Sequence, residues 1–349
     1  MSETPHKHSG INPDFSVNVR KANTSAYYIE GLKDKNRFIL SECITLIESK
    51  NISKRKLADA VLSDLPESQA QTIRIGITGS PGVGKSTFIE SFGLHLIGHN
   101  HRPAILAIDP SSQANKGSIL GDKTRMNELS SHEDAYIRPS PSGAVLGGTA
   151  AHTKDAILLC EAAGFDIILV ETVGVGQSET EVDNITDVNI LLLQPGAGDD
   201  IQGIKRGIVE NADIFVINKA DGTQYELARL SRSSYKNALQ LFHHDISGWT
   251  CPVILTSSIQ KIGLDEVYKS VLEYVVLLKE NNQFISRRQL QEFKWFEKQS
   301  MLKLKEIVFN NAEVQSNFAS ISAELISGKI KTTAAIHKME DTFRNLINL

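Results

Sequence analysis

Cysteine is scarce in this chain of 349 residues: Cys43, Cys160 and Cys251 stand far apart, and no pair has C-x-x-C spacing. That excludes a disulfide framework or a thiolate metal cluster and predicts reduced core thiols. A basic excess is missing too, with 37 Lys and Arg against 41 Asp and Glu and a formal net charge of -4. The balance argues against nucleic acid as a partner. No apolar run reaches the roughly 20 residues that cross a bilayer. The first ten residues, MSETPHKHSG, also lack the apolar stretch of a secretory signal. These absences predict a soluble, cytoplasmic protein without a membrane partner. His6 and His8 read as part of a polar tail, not as a metal pair. What the chain does have is 41% hydrophobic residues, enough for one large α/β core with helical appendages.

The stretch IRIGITGSPGVGKST, residues 73–87, organises the rest. A short apolar run stops at a glycine and enters a loop that fits G-x-x-x-x-G-K-[ST], with Gly79 and Gly84 as its glycines. Glycines let successive N–H groups close on a phosphate with no Cβ in the way. The helix expected from Lys85 onward points its positive end at the same anion. In this reading the backbone of Gly79, Ser80, Pro81, Gly82, Val83 and Gly84 cradles the phosphates. Lys85 reaches the β and γ groups, Ser86 offers its hydroxyl to Mg²⁺, and Thr87 bonds the α phosphate.

Before this loop, residues 1–25 show no sustained periodicity and read as a flexible tail. Residues 26–70 carry apolar positions at three- and four-residue steps, predicting two or three helices with a break at Lys50-Asn51. After it, apolar runs at 104–108, 167–170, 188–193, 214–217 and 253–255, with a shorter one at 135–137, alternate with helix-compatible segments. Such a pattern predicts a mostly parallel sheet covered on both faces, with ligands at the carboxyl ends of its strands.

The residues just past each run therefore carry the chemistry. Asp109 follows the second run, where a carboxylate can meet Mg²⁺ or a water beside the γ phosphate, or can cap the next helix. Glu171 ends the run at 167–170 and is followed by x-x-Gly, an arrangement that holds a Mg²⁺ shell and lets a glycine N–H sense the γ phosphate. Val175 stands where Ras-type enzymes place a water-orienting Gln, and Gln177 is a candidate replacement. Asp199, Gln202 and Lys205 lie in a glycine- and acid-rich loop that either approaches the nucleotide or is simply solvated. The loop at 146–149 is either a partner-responsive surface or a tight connection.

The run at 214–217 ends in Asn218-Lys219-Ala220-Asp221, fitting N-K-x-D. A carboxylate at Asp221 accepts from guanine N1–H and the exocyclic amino group, whereas adenine offers an acceptor at N1; unpaired groups of this kind discriminate by roughly 10⁴ or more. Guanine is the expected base. Lys219 can lay its stem along it, Asn218 can tie this segment to the phosphate loop, and Thr256, Ser257, Ser258 and Ile259 fit a backbone-presenting loop for the guanine O6. From Gly263 the pattern turns helical, with segments around 287–309 and 320–349, which read as an arm packing on another subunit or as an appendage on its own core.

Taken together, GSPGVGKST, AIDPSS, GSILGDKTRM, IRPSPSG, ETVGVGQSE, PGAGDDIQGIK and NKAD resemble the MeaB/ArgK/MMAA family of P-loop GTPases, of SIMIBI type, in the group named for Glu in the third nucleotide motif. The resemblance is most specific from Gly79 to Asp221. It implies a GTP-hydrolysing, metallochaperone-like protein that gates adenosylcobalamin loading and protects or reactivates an acyl-CoA mutase, usually methylmalonyl-CoA mutase. Family position gives Asp109 and Glu171 the Mg²⁺ and water region. It gives Asn218, Lys219 and Asp221 the base, and Lys205 charge neutralisation during hydrolysis. It implies adenosylcobalamin met only through the partner, and a homodimer built through residues 281–349, beyond a GTPase core at 71–280; the missing Ras-type Gln predicts slow intrinsic turnover. One departure is Ser112-Gln113-Ala114-Asn115-Lys116, more polar and less glycine-rich than the family pattern. Two alternatives stand beside this reading: a P-loop kinase or ATPase linked to amino-acid transport, against which N-K-A-D argues, and a nickel or cobalt insertion GTPase, for which scattered cysteines supply no cluster.

Overall fold

The structure, a computed structural model, describes residues 23–66, 72–109, 126–141, 148–172, 182–196, 206–239, 246 and 248–347. The chain divides into two compact units, Met1–Gln69 with Ala151–Phe165, and Ala70–Ala150 with Asp166–Leu349. The first opens with helices α1 (Ser25–Lys33), α2 (Arg37–Ile47) and α3 (Ile52–Ser63). Each begins on a side-chain cap. Thr24 accepts from the Tyr27 N–H, Asn36 from those of Phe38 and Ile39, and Asn51 from those of Ser53 and Lys54, filling donors a helix leaves open. The break expected at Lys50-Asn51 is thus a capped helix start. Buried Leu40, Cys43, Ile44 and Ile47 recur at helical spacing along α2. Gly31 admits that face closely, since a Cβ there would lie 2.7 Å from the Ile39 side chain.

The second unit is built on seven strands: β1 (Ile73–Gly79), β2 (Pro103–Asp109), β3 (Tyr136–Pro141), β4 (Ile167–Thr172), β5 (Val188–Leu193), β6 (Ile214–Ile217) and β7 (Val253–Leu255). Helix α4 (Lys85–Gly98) follows β1, the short α5 (Asn127–Ser131) precedes β3, and α6 (Gly148–Ala162), most of which belongs to the first unit, precedes β4. Further on come α7 (Arg206–Glu210), α8 (Tyr225–Leu239), α9 (Leu264–Glu280), α10 (Gln283–Phe309), α11 (Ala312–Ile326) and α12 (Thr332–Ile347). All strand pairs are parallel, in the order β3-β2-β4-β1-β5-β6-β7. This is the α/β class expected, with a sheet that is parallel throughout. β1, β4 and β5 are buried along their whole length, as strands covered on both faces must be.

The runs read from the sequence at 188–193, 214–217 and 253–255 coincide with strands, whereas β3 extends well past the expected 135–137. Pro139 and Pro141 lie within it, opposite Ala107 and Asp109 of β2. An edge strand tolerates proline because the missing N–H can face away from the sheet. The helical stretch expected at 320–349 is two helices. Gly328, at φ 75°, closes α11: its N–H bonds Leu325 O at 3.1 Å while that of Lys329 reaches Glu324 O at 2.9 Å. This paired closure is the Schellman motif, which only a left-handed residue completes.

One face of the sheet packs Ile75, Ile77, Leu169, Ile190 and Val216 against Phe88, Phe92, Val267, Val271 and Tyr274 from α4 and α9. The other packs Leu191, Leu193, Phe215 and Ile217 against Ala228 and Tyr235 of α8. Two buried acids secure the amino-terminal edge. Asp187 accepts from the Arg74 N–H at 2.8 Å and from Arg288 of α10 at 2.6 and 2.8 Å. Asp213 accepts from the Asn189 N–H at 2.7 Å and from the Tyr274 hydroxyl. Burial, then the Asp213 charge, pushes that hydroxyl far above its ordinary pKa, so it stays a donor. Phe309 joins α10 to α11 and α12 through ring contacts with Phe318 and Phe343 at 5.6 and 6.2 Å. The three cysteines are free thiols, and among the described residues no helix is long and apolar enough to cross a membrane.

Candidate functional site

β1 lies between β4 and β5, and the chain leaves it for β2 on one side while β5, β6 and β7 build the other. The sheet therefore changes direction at the carboxyl end of β1, where open α/β sheets bind ligands. The 79–87 loop emerges there. Gly82 and Gly84 adopt φ of 81° and 92°, a region closed to most side chains. Gly79 runs so close to β5 that a Cβ would stand 2.6 Å from Leu192 O, and a Cβ on Gly84 would stand 2.9 Å from Asn218 Nδ2. Both glycines are thus required by neighbours as well as by the turn. Gly84 is the N-cap of α4 with no side-chain bond, leaving the first N–H groups of a 14-residue helix facing the loop.

Lys85 folds its ammonium over this loop, donating to Gly79 O at 2.8 Å and Ser80 O at 3.3 Å. Ser86 is half-buried at the start of α4, and Thr87 is exposed. Glu171 is buried near the end of β4, in register with Ile77 of β1 and Ala107 of β2. Asp109 closes β2. Ser86, Glu171 and Asp109 therefore come from the carboxyl ends, or just beyond them, of three adjacent strands. Their oxygen-only donor set suits a hard divalent cation such as Mg²⁺.

A second segment meets the loop from the other half of the sheet. Asn218, 1% exposed, follows β6 and donates through Nδ2 to Val83 O at 3.1 Å. Its Oδ1 accepts from Ser258 Oγ at 2.7 Å and, at 3.3 Å each, from the Ser258 N–H and Thr256 Oγ1. One side chain thus holds the phosphate loop and the 256–259 loop together. Lys219, at φ 58°, donates from Nζ to Gly82 O at 2.6 Å. The Asp221 carboxylate accepts from the Ser257 hydroxyl. Ser257 also exchanges both backbone bonds with Ile262, at 3.0 and 3.1 Å, so 257–262 forms a closed loop with Ile259 at its exposed tip. Gly263 (φ 78°) ends it where a Cβ would lie 2.2 Å from Leu255 O.

Of the residues singled out by sequence, the structure brings together Gly79 to Thr87, Asn218, Lys219, Asp221, Ser257, Ser258 and Ile259, and sets Glu171 and the end of β2 on the same edge. Lys205 lies outside the described residues, as do Val175, Gln177, Asp199 and Gln202. Sequence reasoning placed Thr256 in the base loop but not its hydroxyl on Asn218, and it missed Ser91, whose hydroxyl bonds Ser258 O at 2.7 Å from the middle of α4. Ser91, 167 positions from Ser258, carried no local signal.

A parallel sheet whose central strand opens into a glycine-rich phosphate loop, bonded to an N-K-x-D segment, defines the class of P-loop GTPases. Within it, the chain belongs to the MeaB/ArgK/MMAA family: the family model described as "Methylmalonyl Co-A mutase-associated GTPase MeaB" matches residues 40–313. The chain is 41% identical over 290 residues to the GTPase ArgK of Escherichia coli, covering 83% of this chain and 88% of that protein. It is 39% identical over 325 residues to the mitochondrial methylmalonic aciduria type A homolog of Mus musculus, covering 90% and 78%. A solved structure described as a LAO/AO transport system kinase superimposes with a TM-score of 0.74 at 31% identity, over 93% of this chain and 99% of that one.

Proposed function

We propose that the chain binds and hydrolyses GTP with Mg²⁺ and, through the resulting loop movements, serves as a chaperone for an adenosylcobalamin-dependent acyl-CoA mutase, methylmalonyl-CoA mutase before others. The observation that carries the guanine half is the Asn218 junction. Asn218 bonds both Val83 of the phosphate loop and Ser258, and the neighbouring Ser257 bonds the Asp221 carboxylate, which supports a base read by Asp221 and the 257–259 backbone with its phosphates in that loop. The partner half rests on the family match over residues 40–313.

In this reading the N–H groups of 79–87 and the start of α4 bind the phosphates, and Lys85 leaves Gly79 O and Ser80 O for the β and γ oxygens. Ser86, Asp109 and Glu171 would hold Mg²⁺, directly or through water; bound there, the ion supplies charge neutralisation between the β and γ groups. Lys205 adds positive charge during hydrolysis, and Val175, in place of a water-orienting Gln, leaves intrinsic turnover slow. Adenosylcobalamin is met only in the partner. Residues 281–349 serve as a dimerisation arm, a role supported by exposed Leu290, Phe293, Phe296, Leu304 and Ile307 along α10.

The test is GTP hydrolysis by the purified protein with Mg²⁺, alone and with the methylmalonyl-CoA mutase of the same organism, with ATP in parallel. Acceleration by the mutase, lost in Lys205→Ala, is the expected result. Equal turnover of ATP would sink the guanine assignment, and no response to the mutase would sink the client assignment alone.

A further inference from the structure

Away from the nucleotide edge, α4 and α9 bring three metal-ligating side chains together. His95 lies in the last turn of α4 and His99, four residues on, is its C-cap, while Asp265 lies in the first turn of α9. One ligand atom from each falls within 4.8 Å of the others. The geometry points to a site for one divalent transition-metal ion of the borderline class, zinc, cobalt or nickel, held by His95, His99 and Asp265 with a fourth position left to water.

The tautomers and the neighbours both favour an ion. The Nδ1 of His99 lies 2.9 Å from the backbone carbonyl of His95; a carbonyl only accepts, so Nδ1 carries the proton and Nε2 keeps its lone pair. Metal-bound imidazoles are commonly oriented in this way, by a second nitrogen donating to a carbonyl. His95 Nε2 is buried and has no hydrogen-bond partner, a costly state for a polar atom that coordination would relieve. Tyr268 backs both imidazoles, with ring centroids 4.7 Å from His99 and 6.0 Å from His95. Its hydroxyl is held 2.8 Å from His101 Nε2, and His101 Nδ1 is in turn 2.7 Å from Asp166. The support is therefore anchored in the sheet. Asp265 gives one oxygen, Oδ2, to Lys269 at 2.6 Å, and a carboxylate has a second to offer.

Ion class follows from the donors. Two imidazole nitrogens and one carboxylate suit zinc, nickel or cobalt, whereas Mg²⁺ prefers oxygen alone. Tetrahedral bonds of about 2.0–2.1 Å set ligand atoms about 3.4 Å apart, so closure from 4.8 Å asks for rotation of the exposed His99 and Asp265 side chains, not of the backbone. The ion would clamp the helix that leaves the phosphate loop to the helix that leaves the 257–262 loop, below the Ser91–Ser258 bond.

The experiment uses the full-length protein, stripped with EDTA, saturated with Mg·GDP and carrying His6→Ala and His8→Ala so that the amino-terminal histidines cannot contribute. Titration calorimetry with Zn²⁺ should show one ion per chain. His95→Ala and His99→Ala should each lower affinity by at least about tenfold, the least that losing even an outer-sphere partner costs a zinc site. Asp265→Asn should weaken binding, and Co²⁺ should give visible ligand-field bands that vanish in His99→Ala. His99 is exposed, so its truncation leaves the core intact. Absence of one-to-one Zn²⁺ binding, or unchanged affinity in His99→Ala, overturns the proposal.

Discussion

Removing the Asn218 side chain should unfasten the two halves of the site. In Asn218→Ala the bonds from Nδ2 to Val83 O at 3.1 Å and from Ser258 Oγ to Oδ1 at 2.7 Å disappear. They leave a buried acceptor and a buried hydroxyl without these partners, while the two contacts at 3.3 Å contribute little. A buried polar group stranded in this way costs about 1–3 kcal/mol, so the pair amounts to roughly 2–6 kcal/mol. Urea unfolding in saturating Mg·GDP reads the loss, because it registers weaker folding and weaker binding together. Thr256→Val, which removes only one long contact, is the control and should cost less than about 1 kcal/mol. Asn218→Asp keeps the acceptor but sets an oxygen against Val83 O, and should fare no better than alanine. An Asn218→Ala protein within about 0.5 kcal/mol of its parent, the usual range of neutral surface changes, would refute the view that this residue joins the loops.

Asp221→Asn removes the acceptor proposed for guanine N1–H and the amino group. Competition with labelled GDP should show GTP affinity falling by roughly 10⁴, with xanthosine nucleotides gaining; equal loss for both bases would count against the assignment. Arg288→Ala strands Asp187, whose side chain is 2% exposed, and should cost about 3–5 kcal/mol in urea unfolding; a smaller cost would mean that α10 is held elsewhere. The thiols should be inert in the native state. Burial, followed by a neighbouring acid, pushes Cys43 and Cys251 up to about 12 and raises Cys160 as well. At pH 8 a thiol at about 12 is ionised at roughly one part in 10⁴, against about a quarter for a free one. Native alkylation of Cys43 and Cys251 should therefore run roughly 10³-fold slower than in denaturant and rise steadily with pH. Labelling of any of the three at the free-thiol rate would contradict their placement.

The parts of this protein that were legible in its sequence are those whose physics is local. A short, mostly apolar run bounded by polar residues declares a buried parallel strand, because both of its faces must be covered; β5, β6 and β7, runs of six, four and three residues, could be read to the residue for that reason. The phosphate loop could be read because the positive φ of Gly82 and Gly84 is a demand of the turn itself, although Leu192 and Asn218, far along the chain, also exclude a Cβ at Gly79 and Gly84. Reading failed where a local cue was misleading. Pro139 and Pro141 argued against a strand, and only the place of β3 at the sheet edge made them harmless. Across 320–349 the apolar spacing runs on, yet Gly328 closes one helix; the glycine was visible, but a lone glycine inside a helical pattern is also compatible with a continuous helix.

What stayed hidden is the set of pairings that exist only once the strand order is known. Asp187 and Arg288 are 101 residues apart, Asn218 and Val83 are 135, and His101 and Tyr268 are 167. None of these can be inferred from spacing, and each depends on β1 lying between β4 and β5 instead of beside β2. The same dependence explains why the N-K-A-D segment could be matched to a base while its fastening to Val83 remained only one of its possible roles. A tetrapeptide states which groups are available; the order of strands decides which loop they reach. The histidines of α4 make the point most sharply. His95 and His99 are one turn apart and visible as such in the sequence, but the third ligand follows a strand at the far end of the sheet, and only the packing of α9 on α4 turns a pair of helix histidines into a three-sided site.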